Sequence, residues 1–361
     1  MKYTIFNAIH KELGAKMVAF AGYEMPIQYP YGIIHEHMVV RQKAGVFDVS
    51  HMGEFEIRGK DALAFVQKIT INDASKLSMG KIQYSAFCLP TGGIVDDLLV
   101  YCMGEWFMLV VNGANIDKDF AWCQKNTEGF EVDLKNVTDE VNLLAVQGPK
   151  SLDILQKLTN VNLSEIEYYN FKNGSLAGVN MIISRTGYTG ELGFEIYFRG
   201  NFTVAKKVWD DVFISGAEFG IEPVGLGSRD TLRLEKGYCL YGNDIDETTN
   251  PIEASLGWIT KPAKADFNGK DIIVKVKEEG VRRKLVGFIL ETEKFIPRHE
   301  YKIFAGGKEV GYVTSGNISP ILNKPIGMGY VAVSCSQPGS KIEIEARGKT
   351  FPAEVVKLPF V

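Results

Sequence analysis

Beyond about residue 280 the sequence changes texture, and this change restricts the fold more than any other feature of the chain. Short strand-like runs at 285–290, 311–314 and 342–346 alternate there with Gly, Pro, Asn and Ser, the pattern of an all-β domain. Before it, strand and helix patterns interleave, which reads as α+β. The charged stretch 275–284, with Glu278-Glu279-Gly280, is the best linker candidate. A chain of 361 residues also exceeds what one hydrophobic core usually supports, favouring two or three domains. The expected division is residues 1–274 and residues 281–361.

Ile5, Phe6, Ile9 and Leu13 have helical spacing, and Gly14 follows where a left-handed helix terminus takes glycine. Residues 33–44 repeat the pattern through Ile34, Met38 and Val39 up to Gly45. Residues 54–58 alternate polar and apolar like a half-buried strand, and Asp61 can cap a helix with Leu63, Val66 and Ile69 on one face. Residues 98–103 and 106–111 flank Gly104-Glu105, a pair suited to a two-residue hairpin turn. Asn115 is placed to cap the next helix, and Pro149 fits the first turn of another. Residues 181–184 and 194–198 read as strands around a glycine-rich loop, followed by an amphipathic helix through Val204, Val208, Trp209 and Val212.

A formal charge of −4 and a pI near 5.9 give no whole-molecule attraction for polyphosphate, which argues against nucleic acid as a main partner. The N-terminus lacks the apolar core of a secretory signal, and no apolar run approaches membrane-spanning length, so the expected location is cytoplasmic, without a membrane partner. The five cysteines are scattered without a Cys-x-x-Cys pair, against a zinc ribbon or redox dithiol. In His35-Glu36-His37, residues two apart on a helix point to different faces, so no metal is expected. Gly-x-Ser-x-Gly, phosphate-loop and dinucleotide fingerprints are all missing, which weakens hydrolase, NTPase and nicotinamide readings.

Three segments hold the candidate chemistry. In Gly92-Gly93-Ile94-Val95-Asp96-Asp97 two carboxylates stand at the threshold of an apolar strand, either facing a pocket or solvated in a turn. Residues 184–191 pack three hydroxyl residues, Tyr188, Arg185 and two glycines into one connection, able to line a polar site or to form a plain hairpin loop. On the strand that follows, Phe194, Ile196 and Phe198 share one face and Glu195 with Tyr197 the other. Gly225-Leu226-Gly227-Ser228-Arg229-Asp230 resembles a helix start with Ser228 as a possible cap. A cation in the first turn opposes the helix dipole, so Arg229 implies a ligand, a partner carboxylate or an intramolecular salt bridge.

The order and spacing of these blocks resemble the glycine cleavage T-protein family. The matching segments include Phe20-Ala21-Gly22-Tyr23-Glu24-Met25-Pro26, Phe47-Asp48-Val49-Ser50-His51-Met52-Gly53, the Asp96-Asp97 block, Gln147-Gly148-Pro149, residues 184–191, the Arg229 block, Thr314-Ser315-Gly316-Asn317 and Lys357-Leu358-Pro359-Phe360. The resemblance covers essentially the whole chain. It implies a three-domain, cloverleaf-like α+β fold: a folate-binding aminomethyltransferase region over 1–274, in two discontinuous subdomains, and a C-terminal β-barrel-like domain over 281–361. It also implies transfer of the aminomethyl carbon from the lipoyl arm of H-protein to tetrahydrofolate, with tetrahydrofolate as co-substrate and neither metal nor flavin.

Carried over residue by residue, the resemblance makes Asp97 the catalytic carboxylate, Glu195 and Arg229 folate contacts, and Tyr84, Asn112 and Tyr188 pocket-lining positions. Two departures stand out. Family members extend past the Pro359-Phe360 block with a tail that brings an arginine to the ligand, whereas this sequence stops at Val361; another basic residue substitutes, or the folate tail is held less tightly. Leu192 stands where the family often has an acid. Two other readings share the folate fold. One is a non-enzymatic relative that assists iron-sulfur protein maturation, whose signature Lys236-Gly237-Tyr238-Cys239 resembles only superficially. The other is a sarcosine or dimethylglycine demethylase, for which the chain lacks a flavin fingerprint.

Overall fold

The computed structural model describes residues 1–292 and 295–361. The contacts divide the chain into two units. The first comprises 1–66, 74–84 and 98–230; the second comprises 67–73, 85–97 and 231–361.

In the first unit a six-stranded sheet runs in the order Phe171–Leu176, Val179–Ser184, Gly193–Phe198, Asn142–Gln147, Gly45–Asp48, Glu222–Pro223. The last pair is parallel and the others antiparallel. Helices Ser151–Gln156 and Phe202–Gly216 bring Ile154, Leu155, Val208, Trp209 and Val212 into one core with Val46, Leu144, Phe194 and Ile196. The expected spacing of Val204, Val208, Trp209 and Val212 is thus the inward stripe of a helix whose start is held by the Asn201 side chain, which accepts from the Val204 amide at 3.2 Å.

A second sheet has the order Ile82–Cys88, Ile94–Cys102, Phe107–Val111, Gly53–Arg58, Asp133–Asn136. Its hairpin turns at Gly104-Glu105 as expected, with Gly104 at φ +104° and the Met103 amide donating to the Trp106 carbonyl at 2.9 Å. Three local expectations are not met. Asp61 does not spend its carboxylate on a cap: it accepts from the Glu131 amide at 2.8 Å. Asn115 precedes helix Ile116–Lys125 without a side-chain cap bond, and Lys150, not Pro149, stands at the N-cap of Ser151–Gln156.

The second unit contains the expected all-β part as a closed barrel, ordered Arg283–Leu290, Lys324–Ala332, Lys308–Ser319, Lys302–Ala305, Lys341–Ala346, Lys349–Val356, the last pairing with the first. Phe288, Ile303, Val313, Val331, Ile342, Ile344 and Val355 fill it. The stretch read as a linker is ordered: Lys270–Glu279 is a helix with Ile273 buried, and the first barrel strand begins at Arg283. Its charges mark a solvated helix face.

Also in this unit, the buried Lys264 ammonium donates to the carbonyls of Gln67, at 2.7 Å, Asn72, at 2.8 Å, and Thr70. These groups lie at and just past the end of helix Ala62–Ile69, where carbonyls lack intrahelical donors. Lys264→Met is expected to lower stability by about 1–2 kcal/mol, measured by urea unfolding; an unchanged midpoint would dismiss the ammonium as a clamp.

Candidate functional site

The site in the first unit is built on strand Gly193–Phe198. Phe194, Ile196 and Phe198 enter the core, and Glu195 and Tyr197 take the opposite face, as the alternation requires. Oxygen Oε2 of Glu195 accepts from the Thr186 hydroxyl and from Tyr197 Oη at 3.5 Å. Behind these donors the hydroxyls continue: Tyr101 Oη lies 2.9 Å from Tyr197 Oη and 3.0 Å from Ser184 Oγ, which lies 2.8 Å from Thr186 Oγ1. Among the described residues, every hydrogen bond to the Glu195 carboxylate reaches Oε2, which leaves Oε1 able to accept from another donor. Burial holds the Glu195 pKa above its ordinary value, with Thr186, the charge of Arg229 and Tyr197 offsetting part of the rise.

Arg229 lies on helix Leu226–Glu235, which starts two residues before the expected cap. The reason is long-range: the Glu36 carboxylate takes the Gly225 amide at 2.8 Å, and Ser228 Oγ turns back to the Gly225 carbonyl at 2.8 Å. The Arg229 guanidinium sits over the Tyr188 ring, 4.3 Å from its centroid, and its charge attracts Glu195. Arg229 and Tyr188 are therefore brought together, and the charge of Arg229 is felt at Glu195.

His51 belongs to the same surroundings. It is buried, edge-on to Phe20 at 5.4 Å, and burial and Arg229 lower its pKa to about 4, against the pull of Asp48. It is a neutral imidazole at physiological pH. Gly113 is demanded by this packing, since a Cβ there would stand 2.3 Å from the His51 carbonyl oxygen.

Tyr84, half-buried on Ile82–Cys88, and Asn112, half-buried just after Phe107–Val111, belong to this unit. Asp97 belongs to the second unit. It lies within strand Ile94–Cys102, half-buried, next to the fully buried Asp96, so the pair is divided between strand faces and is not a solvated turn. The two glycines before it set this entry: Gly92 has φ +85°, and a Cβ on Gly93 would come within 1.9 Å of the Glu247 carbonyl oxygen. Near Asp97, burial and the charges of Asp244 and Asp97 push up the Cys239 thiol, leaving it a poor nucleophile.

His35-Glu36-His37 splits as its spacing implies: His35 Nε2 lies 2.7 Å from Glu222, while Glu36 turns inward to backbone amides. Among the described residues no cluster of three His, Cys, Asp or Glu side chains is arranged to hold a metal, and no helix is long and apolar enough to cross a membrane. Sequence reasoning missed Tyr101, His51 and Glu54. Tyr101 and His51 lay inside segments already singled out; Glu54 was read as the polar side of a half-buried strand and is in fact buried.

The chain combines an α+β unit with a unit that holds a closed barrel, and comparison with known proteins gives its family. The GCVT N-terminal domain model matches residues 6–264, and the glycine cleavage T-protein C-terminal barrel domain model matches residues 283–361. An aminomethyltransferase of Bacteroides fragilis is 55% identical over 365 residues, spanning 100% of this chain and 99% of that protein. One from Halothermothrix orenii is 51% identical over 362 residues, spanning 100% of both. The crystal structure of glycine cleavage system aminomethyltransferase T from Bartonella henselae superposes with a TM-score of 0.92 at 36% identity, covering 100% of this chain and 98% of that one. The chain belongs to the glycine cleavage T-protein family. Its activity is that of an aminomethyltransferase.

Proposed function

We propose that the protein takes the aminomethyl group from the lipoyl arm of H-protein and passes its carbon to tetrahydrofolate, releasing ammonia, 5,10-methylenetetrahydrofolate and the reduced lipoyl protein. The carbon–sulfur and carbon–nitrogen bonds of the aminomethyl group break, two bonds from that carbon to folate nitrogens form, and the two folate N–H protons end on sulfur and ammonia. The carbon keeps its oxidation level, so the step calls for no flavin or other redox cofactor. The reading includes a cytoplasmic enzyme, with residues 1–274 as the folate-binding region and 281–361 as the barrel.

The observation that carries the folate assignment is Glu195, anchored through Oε2 and open at Oε1. A carboxylate so held accepts the amino and ring N–H donors of a pterin. Arg229 satisfies ligand acceptors or neutralises Glu195, Tyr188 fixes the guanidinium plane, and Tyr84 and Asn112 line the pocket. Asp97 holds the folate near its reacting nitrogens and stabilises the transient cation there.

Mixed with tetrahydrofolate and aminomethyl-lipoyl H-protein, the enzyme is expected to form methylenetetrahydrofolate and ammonia in equal amounts; folate binding without turnover would overturn the reading. Glu195→Ala and Arg229→Ala are each expected to weaken tetrahydrofolate binding about tenfold, ~1.4 kcal/mol, by calorimetry. Unchanged affinity in both would remove these residues from the folate site.

A further inference from the structure

Gln147 ends strand Asn142–Gln147, and the pairing of that strand with Gly193–Phe198 fixes where its side chain goes. Leu144 and Val146 enter the core beside Phe194 and Ile196, so Ala145 and Gln147 take the other face of the sheet. Ala145 is the register partner of Glu195, and Gln147 is that of Gly193. Gln147 therefore shares the face of Glu195. It is 1% exposed. A buried amide weakens a fold unless its hydrogen bonds are made, and an apolar residue would cover this position without that requirement.

Both polar atoms of the amide are bonded to one connection, the loop between strands Val179–Ser184 and Gly193–Phe198. Gln147 Nε2 donates to the Thr186 carbonyl at 3.1 Å, and Oε1 accepts from Thr189 Oγ1 at 2.8 Å. Two glycines make room for the group. A Cβ on Gly187 would stand 2.1 Å from Gln147 Oε1, and one on Gly193 would stand 2.3 Å from Nε2. Neither has a positive φ, so glycine is required there for space and not for backbone conformation. Arg41 braces the far end of the loop, its Nη1 donating to the Thr189 carbonyl at 2.7 Å and to Glu191 Oε1 at 2.9 Å.

This connection carries two members of the site. The Thr186 hydroxyl donates to Glu195 Oε2, and the Tyr188 ring lies against the Arg229 guanidinium, with 4.3 Å between ring centroid and Cζ. The amide of Gln147 thus grips the loop on both sides of Tyr188, through the residue whose hydroxyl supports Glu195. Residues 186–190 include Gly187 and Gly190, and a glycine loses more backbone freedom on ordering than any other residue. A ligand bears that entropy loss when it binds, unless the protein has ordered the loop beforehand.

We propose that Gln147 is a positioning residue of the folate site: its amide pre-orders residues 186–189, so that Thr186 meets Glu195 and Tyr188 meets Arg229 before the ligand arrives. The inference rests on Glu195 and Arg229 being folate contacts. It also accounts for glutamine at this position. The Thr186 carbonyl needs a donor and the Thr189 hydroxyl an acceptor, both from one uncharged group. Methionine fills a similar volume with no N–H and only a weak acceptor, and an ionised glutamate turns an acceptor against the Thr186 carbonyl.

The experiment measures tetrahydrofolate binding by calorimetry on the full-length wild type, Gln147→Met, Gln147→Glu and Glu195→Ala, with kcat and KM from the H-protein assay. Gln147→Met is expected to weaken binding and raise the KM for tetrahydrofolate about tenfold while kcat stays within about twofold, since the loosened loop holds folate and Asp97 is untouched. Gln147→Glu supplies the conservative rescue. Burial and the facing carbonyl favour its protonated form, whose O–H donates to Thr186 while its C=O accepts from Thr189. At pH 6 its affinity relative to the wild type should therefore exceed that of Gln147→Met, and it should decline as the pH is raised to 9. Amide hydrogen exchange of the unliganded proteins gives a reading free of folate: residues 186–190 should exchange faster in Gln147→Met, with the rest of the sheet unchanged. If Gln147→Met fails to fold, Thr189→Val removes one of the two bonds from the loop's end and should weaken binding about three- to fivefold.

Wild-type affinity in Gln147→Met, or in Thr189→Val where it stands in, would overturn the inference, as would a Gln147→Glu that binds no better than Gln147→Met at pH 6. If Glu195→Ala itself binds folate like the wild type while residues 186–190 exchange faster in Gln147→Met, the underlying assignment of Glu195 fails instead.

Discussion

Arg233→Met is expected to destabilise the protein by about 3–5 kcal/mol, read as the shift in urea midpoint at constant slope. Arg233 is 2% exposed and Asp244 0%, and they form a 2.8 Å ion pair within the second unit. Arg233 also donates to Ser315 Oγ at 2.9 Å and the Tyr238 carbonyl at 3.1 Å, while Asp244 collects the Leu240 amide, Ser315 Oγ and Thr314 Oγ1. The cluster ties helix Leu226–Glu235 and the loop after it to barrel strand Lys308–Ser319. Methionine keeps much of the arginine stem's volume but leaves Asp244 as a buried charge without its cation, which is why the single change is worse than removing both partners. Adding Asp244→Leu to Arg233→Met should recover part of the loss. A shift under about 1 kcal/mol for the single variant would mean that the neutral donors around Asp244 suffice alone.

Asp97→Asn is expected to slow methylenetetrahydrofolate formation about ten- to a hundred-fold, ~1.5–3 kcal/mol, with the melting temperature preserved. The amide keeps the shape, exchanges one acceptor oxygen for an NH2 donor, and removes the negative charge that the proposed mechanism sets against a cationic intermediate. Asp96 supplies the control. It is fully buried where Asp97 is half-buried, so Asp96→Asn should register in stability before turnover. Single-turnover rates near the wild-type value for Asp97→Asn would sink its assignment as the catalytic carboxylate.

What the sequence made legible was decided by nearest neighbours in the chain. Phe194, Ile196 and Phe198 alternate because the pleat fixes their direction, and the same alternation puts Glu195 off the core face. The Gly104-Glu105 turn and the barrel strands beyond residue 283 follow from equally local chemistry.

The misreadings share another cause. Ser228 is not the cap because Glu36, nearly two hundred positions away in sequence, takes the Gly225 amide. Asp61 is diverted by Glu131. Glu54 reads as a solvent-side acid in a polar–apolar alternation, yet it is buried. Electrostatic partners distant along the chain leave no periodicity to detect.

The barrel's strand order has a consequence for how the chain is made. Its first strand, Arg283–Leu290, lies between Lys324–Ala332 and the last strand, Lys349–Val356. On a ribosome, ring closure must therefore wait until residue 356 has cleared the exit tunnel. A nonsense codon anywhere in the final strand would leave two open β-edges able to recruit other chains, so such truncations should appear as insoluble or proteolysed product, not as a shorter working enzyme.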